Sequence, residues 1–262
     1  MERYMKKFKN VALGVSFLIS NIAFAGTMGA EEIFKQSAYV KLGSGGSYSM
    51  DANIYADPTY WDASPQGYNA NVGKTALYSA AFGYNYSSLL SGDIEYIYRP
   101  SYSYSKFQTS TASNTTGFNA DKTRHFDLQS NSLMANVYLN GAAISEYLKV
   151  TLWNSYAIEA FIGGGLGVGF NETNSFHSVK TTGEISAFVP SNFTTSLAWQ
   201  LSAGLQLMNT ENYHLSAGYR YYNGGNFFSN DYVTDFAVYA TPWKGTLQAN
   251  EFFITLKCNL EA

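Results

Sequence analysis

The chain has 262 residues, 16 Lys+Arg against 19 Asp+Glu for a net charge of −3, and only 13% charged residues; 17% are aromatic, with 22 tyrosines and 23 glycines. That balance excludes a typical nucleic-acid binder, whose surface displays basic patches. The single cysteine, Cys258, excludes an internal disulfide and any cysteine-ligated metal centre.

Lys6, Lys7 and Lys9 precede an apolar run from Val11 to Phe24 that ends Ala23-Phe24-Ala25. A positive start, a short apolar stretch and small residues at the cleavage point read as a secretory signal peptide, residues 1–25. The run is shorter than the roughly 20 residues a spanning helix needs. Cleavage removes Arg3, Lys6, Lys7, Lys9 and Glu2, leaving 12 basic and 18 acidic residues, a net charge of −6. No later segment has the length and apolarity of a spanning helix, so residues 26–262 are expected to form one all-β domain, either periplasmic or a barrel.

Period-two patterning then marks eight strands in order. The first, Ser37 to Gly46, sets Val40 and Leu42 against Lys41. The second, Thr75 to Tyr86, sets Tyr78, Phe82 and Tyr84 against Ser79 and Gly83. In the third, Gly92 to Tyr104, even positions carry Ile94, Tyr96, Tyr98, Tyr102 and Tyr104, while odd positions carry Asp93, Glu95 and Arg99. The fourth, Leu128 to Asn140, opposes Leu133, Val137 and Leu139 to Ser132, Met134, Asn136 and Tyr138. The fifth, Tyr156 to Asn171, opposes Ile162 and Leu166 to Glu159 and glycines 163, 165, 167 and 169. The sixth, Leu197 to Met208, opposes Leu201 and Leu205 to Gln200 and Gln206. The seventh, Tyr213 to Tyr222, opposes Leu215 and Tyr219 to His214 and Arg220. The eighth, Asn250 to Leu260, opposes Phe252, Ile254 and Leu256 to Glu251, Thr255 and Lys257.

Links after strands one, three, five and seven are long, roughly 20 to 28 residues, and polar, with Thr109 to Asn119 a Ser/Thr/Asn-rich loop. Ser87–Ser91 and Asn209–Asn212 are short, and Gly141–Ser155 is intermediate. A secreted sandwich has no reason to sort loop lengths by parity, whereas an up-and-down barrel with periplasmic termini does so. The expected fold is therefore an eight-stranded antiparallel transmembrane β-barrel. Four long extracellular loops span 47–74, 106–127, 172–195 and 223–249.

Inward faces carry Lys41, Arg99, Arg220 and Lys257 against Asp93, Glu95, Glu159 and Glu251, with His214 among them. An eight-stranded barrel has room for little beyond its own side chains. Charges confined there must pair, because an isolated buried ion is costly. These residues are expected to form a polar network that plugs the lumen; the alternative is an ion pathway.

The run Phe161-Ile162-Gly163-Gly164-Gly165-Leu166-Gly167-Val168-Gly169-Phe170 resembles the glycine-alternating strand of small opacity-type outer-membrane barrel proteins. Ala198-Trp199-Gln200, Leu215-Ser216-Ala217-Gly218-Tyr219-Arg220-Tyr221 and Asp93-Ile94-Glu95-Tyr96 are similar to that family's other strands. The resemblance runs through the mature chain in order. It implies a surface antigen of a Gram-negative outer membrane, inserted by the barrel assembly machinery, and brings no catalytic residues with it. It departs at the end, Leu260-Glu261-Ala262, where such proteins carry a terminal aromatic.

His125, His177 and His214 have no spacing suited to zinc. His214 and Ser216 share a face as a hydrolase dyad would, but a lumen histidine in a polar network is the simpler reading. Asp51, Asp57, Asp62, Asp231 and Asp235 fall in loops, where carboxylates are ordinarily solvated. No catalytic, metal or cofactor residue is expected, and no cofactor. Tyr60, Trp61 and Tyr68 in the first loop, with Phe236, Tyr239 and Trp243 in the last, have two readings. They either pack on one another above the barrel mouth or anchor a host surface or matrix protein. Three classes of function compete: a monomeric surface-binding or structural barrel, a small-solute porin, and a lipid-modifying enzyme.

Overall fold

The computed structural model describes residues 36–57, 68–108, 122–141, 149–153, 156–209 and 213–260. The signal-peptide region, Tyr60, Trp61, Asp62 and the Thr109 to Asn119 loop lie outside the described residues. Among the described residues there are twelve strands: β1 Ser37–Ser49, β2 Lys74–Asn85, β3 Leu90–Gln108, β4 Lys122–Asn140, β5 Lys149–Trp153, β6 Tyr156–Lys180, β7 Ile185–Val189, β8 Asn192–Asn209, β9 Tyr213–Phe228, β10 Tyr232–Val233, β11 Val238–Tyr239 and β12 Lys244–Asn259. Eight of them, in the order β4-β3-β2-β1-β12-β9-β8-β6, form an antiparallel ring closed by the pairing of β4 with β6. The up-and-down barrel expected from period two is therefore the architecture.

Strand parity sets inside and outside as the sequence implies. On β8, Leu201 is 58% exposed and its neighbour Gln200 only 3%. Leu42, Phe82, Ile94, Leu133, Ile162, Leu166, Leu205, Leu215, Phe252, Ile254 and Leu256 are likewise exposed, forming one apolar band around a closed sheet. Tyr84, Tyr86, Tyr156 and Tyr213 edge the band on the side of the short turns. A closed barrel with an apolar exterior and aromatic margins is built for lipid, because every backbone group is paired within the wall. A lysine at Leu201, near mid-strand, is expected to cost about 2–4 kcal/mol. A lysine at Gln200, close to Asp93 and Glu95 through Asn136, is expected to cost clearly less. Urea unfolding in lipid vesicles compares the two, and equal losses would invert the assignment of faces.

The strands extend further than the sequence pattern indicates, chiefly at the end with the long connections. β4 begins at Lys122, β6 runs to Lys180, β8 begins at Asn192, β9 reaches Phe228 and β12 begins at Lys244. Much of the expected loops 106–127, 172–195 and 223–249 is thus paired wall standing above the apolar band. The intermediate link holds β5, which pairs with β6 through Val150 and Ile158 and covers the exposed start of that strand.

Even parity fails for Tyr102 and Tyr104, expected on the lipid face with Ile94 and Tyr96. Both are fully buried inside. The cause is a bulge: Arg99 pairs with Ser130, but the next partners are Tyr102 and Leu128, so Pro100 and Ser101 face one residue of β4. Proline has no N–H for the ladder and inside a strand is confined to edges and bulges. One extra residue moves every later side chain to the opposite face. β6 has a bulge at Ser175, with φ +55°, opposite Phe126. β9 has one at Gly224, next to Gly225 with φ +73°. All three lie in the extracellular half of their strands.

Candidate functional site

The interior is layered. Near the periplasmic end, Lys257 donates from Nζ to Asn85 Oδ1 at 2.7 Å and lies over the Tyr39 ring. His214 Nε2 faces Asn259 Nδ2 at 3.2 Å, and Gln206 Nε2 donates to Glu159 Oε2 at 3.1 Å. One layer up, Lys41 Nζ bonds Asp93 Oδ2 and Tyr138 Oη. Asn136 Nδ2 donates to both Asp93 and Glu95, at 2.8 and 3.0 Å. Arg220 reaches Glu95 at 3.3 Å and Glu251 at 3.6 Å. Highest is Arg99, whose Nε and Nη2 donate to the two oxygens of Glu251 at 2.6 and 3.2 Å. Its guanidinium stacks 3.6 Å from the centroid of Tyr222. Ser47 Oγ donates to Glu251 at 2.8 Å and Tyr102 Oη bonds Ser47.

Six of the eight expected lumen charges are therefore brought together as ion pairs: Lys41 with Asp93, Arg99 with Glu251, and Arg220 with Glu95 and Glu251. Lys257 differs from expectation in donating to an amide oxygen, that of Asn85, while Glu159 accepts from the Gln206 amide. They stand at the periplasmic end, beside a cavity of about 40 Å³ lined by Lys41, Tyr138, Gln206, Arg220, Thr255 and Lys257. That volume has room for a few waters beside the Lys257 ammonium. The β6 glycines make the narrow bore possible. A Cβ at Gly165 would stand 2.0 Å from Asn136 Oδ1, and one at Gly163 2.5 Å from the Tyr138 ring.

Above Arg99 the lumen carries a cap of buried aromatics. Tyr104, Phe126, Phe176, Phe227, Tyr68 and Trp243 form one buried cluster. Trp243 lies 4.3 Å from Tyr68 and 5.0 Å from Phe176 between centroids, and Tyr104 stacks on Phe126 at 4.5 Å. Tyr104 Oη donates to the Tyr68 carbonyl at 2.6 Å. The three bulges create this arrangement, because each turns an aromatic inward: Tyr104 on β3, Phe176 on β6 and Phe227 on β9. Of the two readings of Tyr68 and Trp243, packing on one another and anchoring a partner, the structure places them in the first: at 2% and 1% exposure they are parts of the cap, since two large rings gain more from mutual burial than from water.

Phe236 and Tyr239 differ, being 42% and 71% exposed. They sit on the β10–β11 hairpin, which is tied to β7 where the Asp235 carboxylate accepts from the Ala187 and Phe188 N–H groups. Ile185, Phe188 and Val238 are exposed on the same two elements.

The mouth also holds Lys122 and Arg124, buried on the inner face of β4; Arg124 Nη1 donates to Ser178. Burial, aided by Arg124 and Lys180, holds the Lys122 amine below its usual pKa. Both residues continue the even parity of Phe126 and Leu128, a signal that starting the strand at Leu128 overlooks. On the outer face of the same strand, burial and the neighbouring His177 lower the His125 pKa.

No family model matches the sequence, and no curated protein matches it. Solved structures do. Neisserial surface protein A is 14% identical, with 86% of this chain and 99% of that one covered and a TM-score of 0.42. The outer membrane protein OprG from Pseudomonas aeruginosa is 11% identical, with 87% and 98% covered and a TM-score of 0.46. The outer membrane protease OmpT from Escherichia coli is 10% identical, with 89% and 99% covered and a TM-score of 0.38.

Proposed function

We propose that this outer-membrane barrel is a surface-display protein that binds a protein partner through its outermost loops and does not conduct solutes. The observation that carries the reading is the contrast between its two ends. The bore holds paired charges below a cluster of buried aromatics, while Ile185, Phe188, Phe236, Val238 and Tyr239 are exposed on elements tied together through Asp235. Exposed aromatics on a rigid support are favoured anchors for protein partners, since little side-chain freedom is lost on binding.

Two measurements test it. Purified protein in planar bilayers is expected to show no reproducible channel; stable openings whose selectivity changes with Glu95→Gln would replace this reading by the porin. Cells carrying Phe236→Ala with Tyr239→Ala are expected to lose adhesion to host cells or matrix proteins that the parent strain binds, at equal surface amounts. Undiminished adhesion of the double variant would overturn the assignment of the tip.

A further inference from the structure

Lys41 of β1 and Lys257 of β12 are direct register partners, and both line the same cavity of the bore. Directly opposed residues on one face of a sheet hold their Cβ atoms about 5 Å apart, where like charges repel. Asp93 compensates Lys41. The Lys257 ammonium bonds the Asn85 amide oxygen and lies over the Tyr39 ring. Among the described residues the ion pairs of the bore do not include it. One cation of the opposed pair therefore has no anion at contact distance.

The rest of the cavity wall is built of donors. Thr255 follows two residues before Lys257 on the same inner face, and its register partner is Ser216 of β9. Tyr138 reaches in from β4; its hydroxyl accepts from Lys41 at 2.9 Å and keeps its own proton to donate. Arg220 is 2% exposed, yet its Nε and Nη1 have no hydrogen-bond acceptor among the described residues. Its Nη1 stands 3.6 Å from Glu251, too far for a hydrogen bond. A buried N–H left without an acceptor is costly, and an ion or water that accepts from it removes the cost. Among the described residues the lining holds three cations, Lys41, Arg220 and Lys257, and no carboxylate. Water would satisfy the donors but bring no charge to the opposed lysines.

We propose that this cavity binds a small inorganic anion, chloride, held by Lys41, Lys257 and the free N–H groups of Arg220 and completed by the Ser216 and Thr255 hydroxyls. Its volume of about 40 Å³ has room for one such ion with a water or two. Tyr138 and Lys257 are only half-buried, so the ion enters from the periplasmic end. Once bound, it links β1, β9 and β12, and it stabilises the folded barrel because the unfolded chain does not assemble the site. The site is independent of what the extracellular loops bind.

The test uses the full chain in detergent, with sodium gluconate exchanged for sodium chloride at constant ionic strength. Excess ³⁵Cl line broadening that bromide displaces is expected, together with a heat-modification midpoint that rises with chloride concentration. Lys257→Met is expected to weaken chloride binding about tenfold or more, the usual worth of a hydrogen bond to a charged group. Ser216→Ala is expected to weaken it less, and Lys180→Met, on the far side of the membrane, to leave it unchanged. Heat-modifiable migration confirms that each variant is folded, and Ser216→Ala keeps the test open if Lys257→Met is not. Crystals grown in sodium bromide are expected to show an anomalous peak between Lys41, Lys257 and Arg220. Absence of displaceable broadening, a cavity holding water alone, or a bromide peak that survives Lys257→Met as an adventitious ion would overturn the proposal.

Discussion

Glu251→Leu is expected to destabilise the barrel by about 3–5 kcal/mol, the usual cost of removing one partner from a buried ionic cluster. Glu251 is completely buried and takes both nitrogens of the Arg99 fork, the Ser47 hydroxyl and a longer contact from Arg220. Its loss leaves Arg220 paired with Glu95 and strands Arg99 without a carboxylate, held by Ser132 and the Tyr222 face. The cost therefore comes from the stranded cation more than from the lost attraction. A double variant, Glu251→Leu with Arg99→Met, should recover much of the loss because the stranded charge goes with its partner. Urea titrations in phosphatidylcholine vesicles measure both. A single variant within about 1 kcal/mol of the parent would mean that water reaches this layer and the network is not dry.

Trp243→Ala is expected to cost a similar amount, about 3–5 kcal/mol, by emptying the centre of the cap. The indole contacts Tyr68, Tyr104, Phe126 and Phe176. The backbone N–H of Trp243 donates to the Ser229 hydroxyl, which fixes the start of β12. The damage should stay local. The apolar band and the lower ion pairs are untouched, so heat-modifiable migration is expected to persist while chymotrypsin gains access to the first and last loops of whole cells. A digestion pattern identical to the parent's would show that the loops are held without the cap.

How much of this was legible depends on what each residue's surroundings demand. The eight wall strands and their faces follow from parity alone, because lipid on one side and a confined polar bore on the other give neighbouring residues opposite requirements, as at Gln200 and Leu201. The inward charges were identifiable for the same reason. Their pairing was not, since it depends on register between strands far apart in sequence, as between Arg99 and Glu251. Above the band both faces meet water or loop, so the alternation loses contrast; Lys122 and Arg124 were therefore read as loop. Tyr68 and Trp243 have a composition that suits both mutual packing and a binding surface, and only the fold decides between the two. β5, β7, β10 and β11 are too short for any period to register.

The three bulges give the wall something like a reading frame. Along each strand, inward and outward are decoded two residues at a time, and Pro100, Ser175 and Gly224 act as single-residue frameshifts. Below them the frame is dictated by the membrane, which every descendant of this chain must obey. Above them the frame is reset, so the extracellular ends can be rewritten without disturbing a letter of the part that crosses the bilayer. A deletion of one residue at such a point would turn the cap inside out while leaving the lipid-facing band unread and unchanged. Insertions and losses at this level are thus a grammar by which the exterior of the cell can vary on a constant barrel.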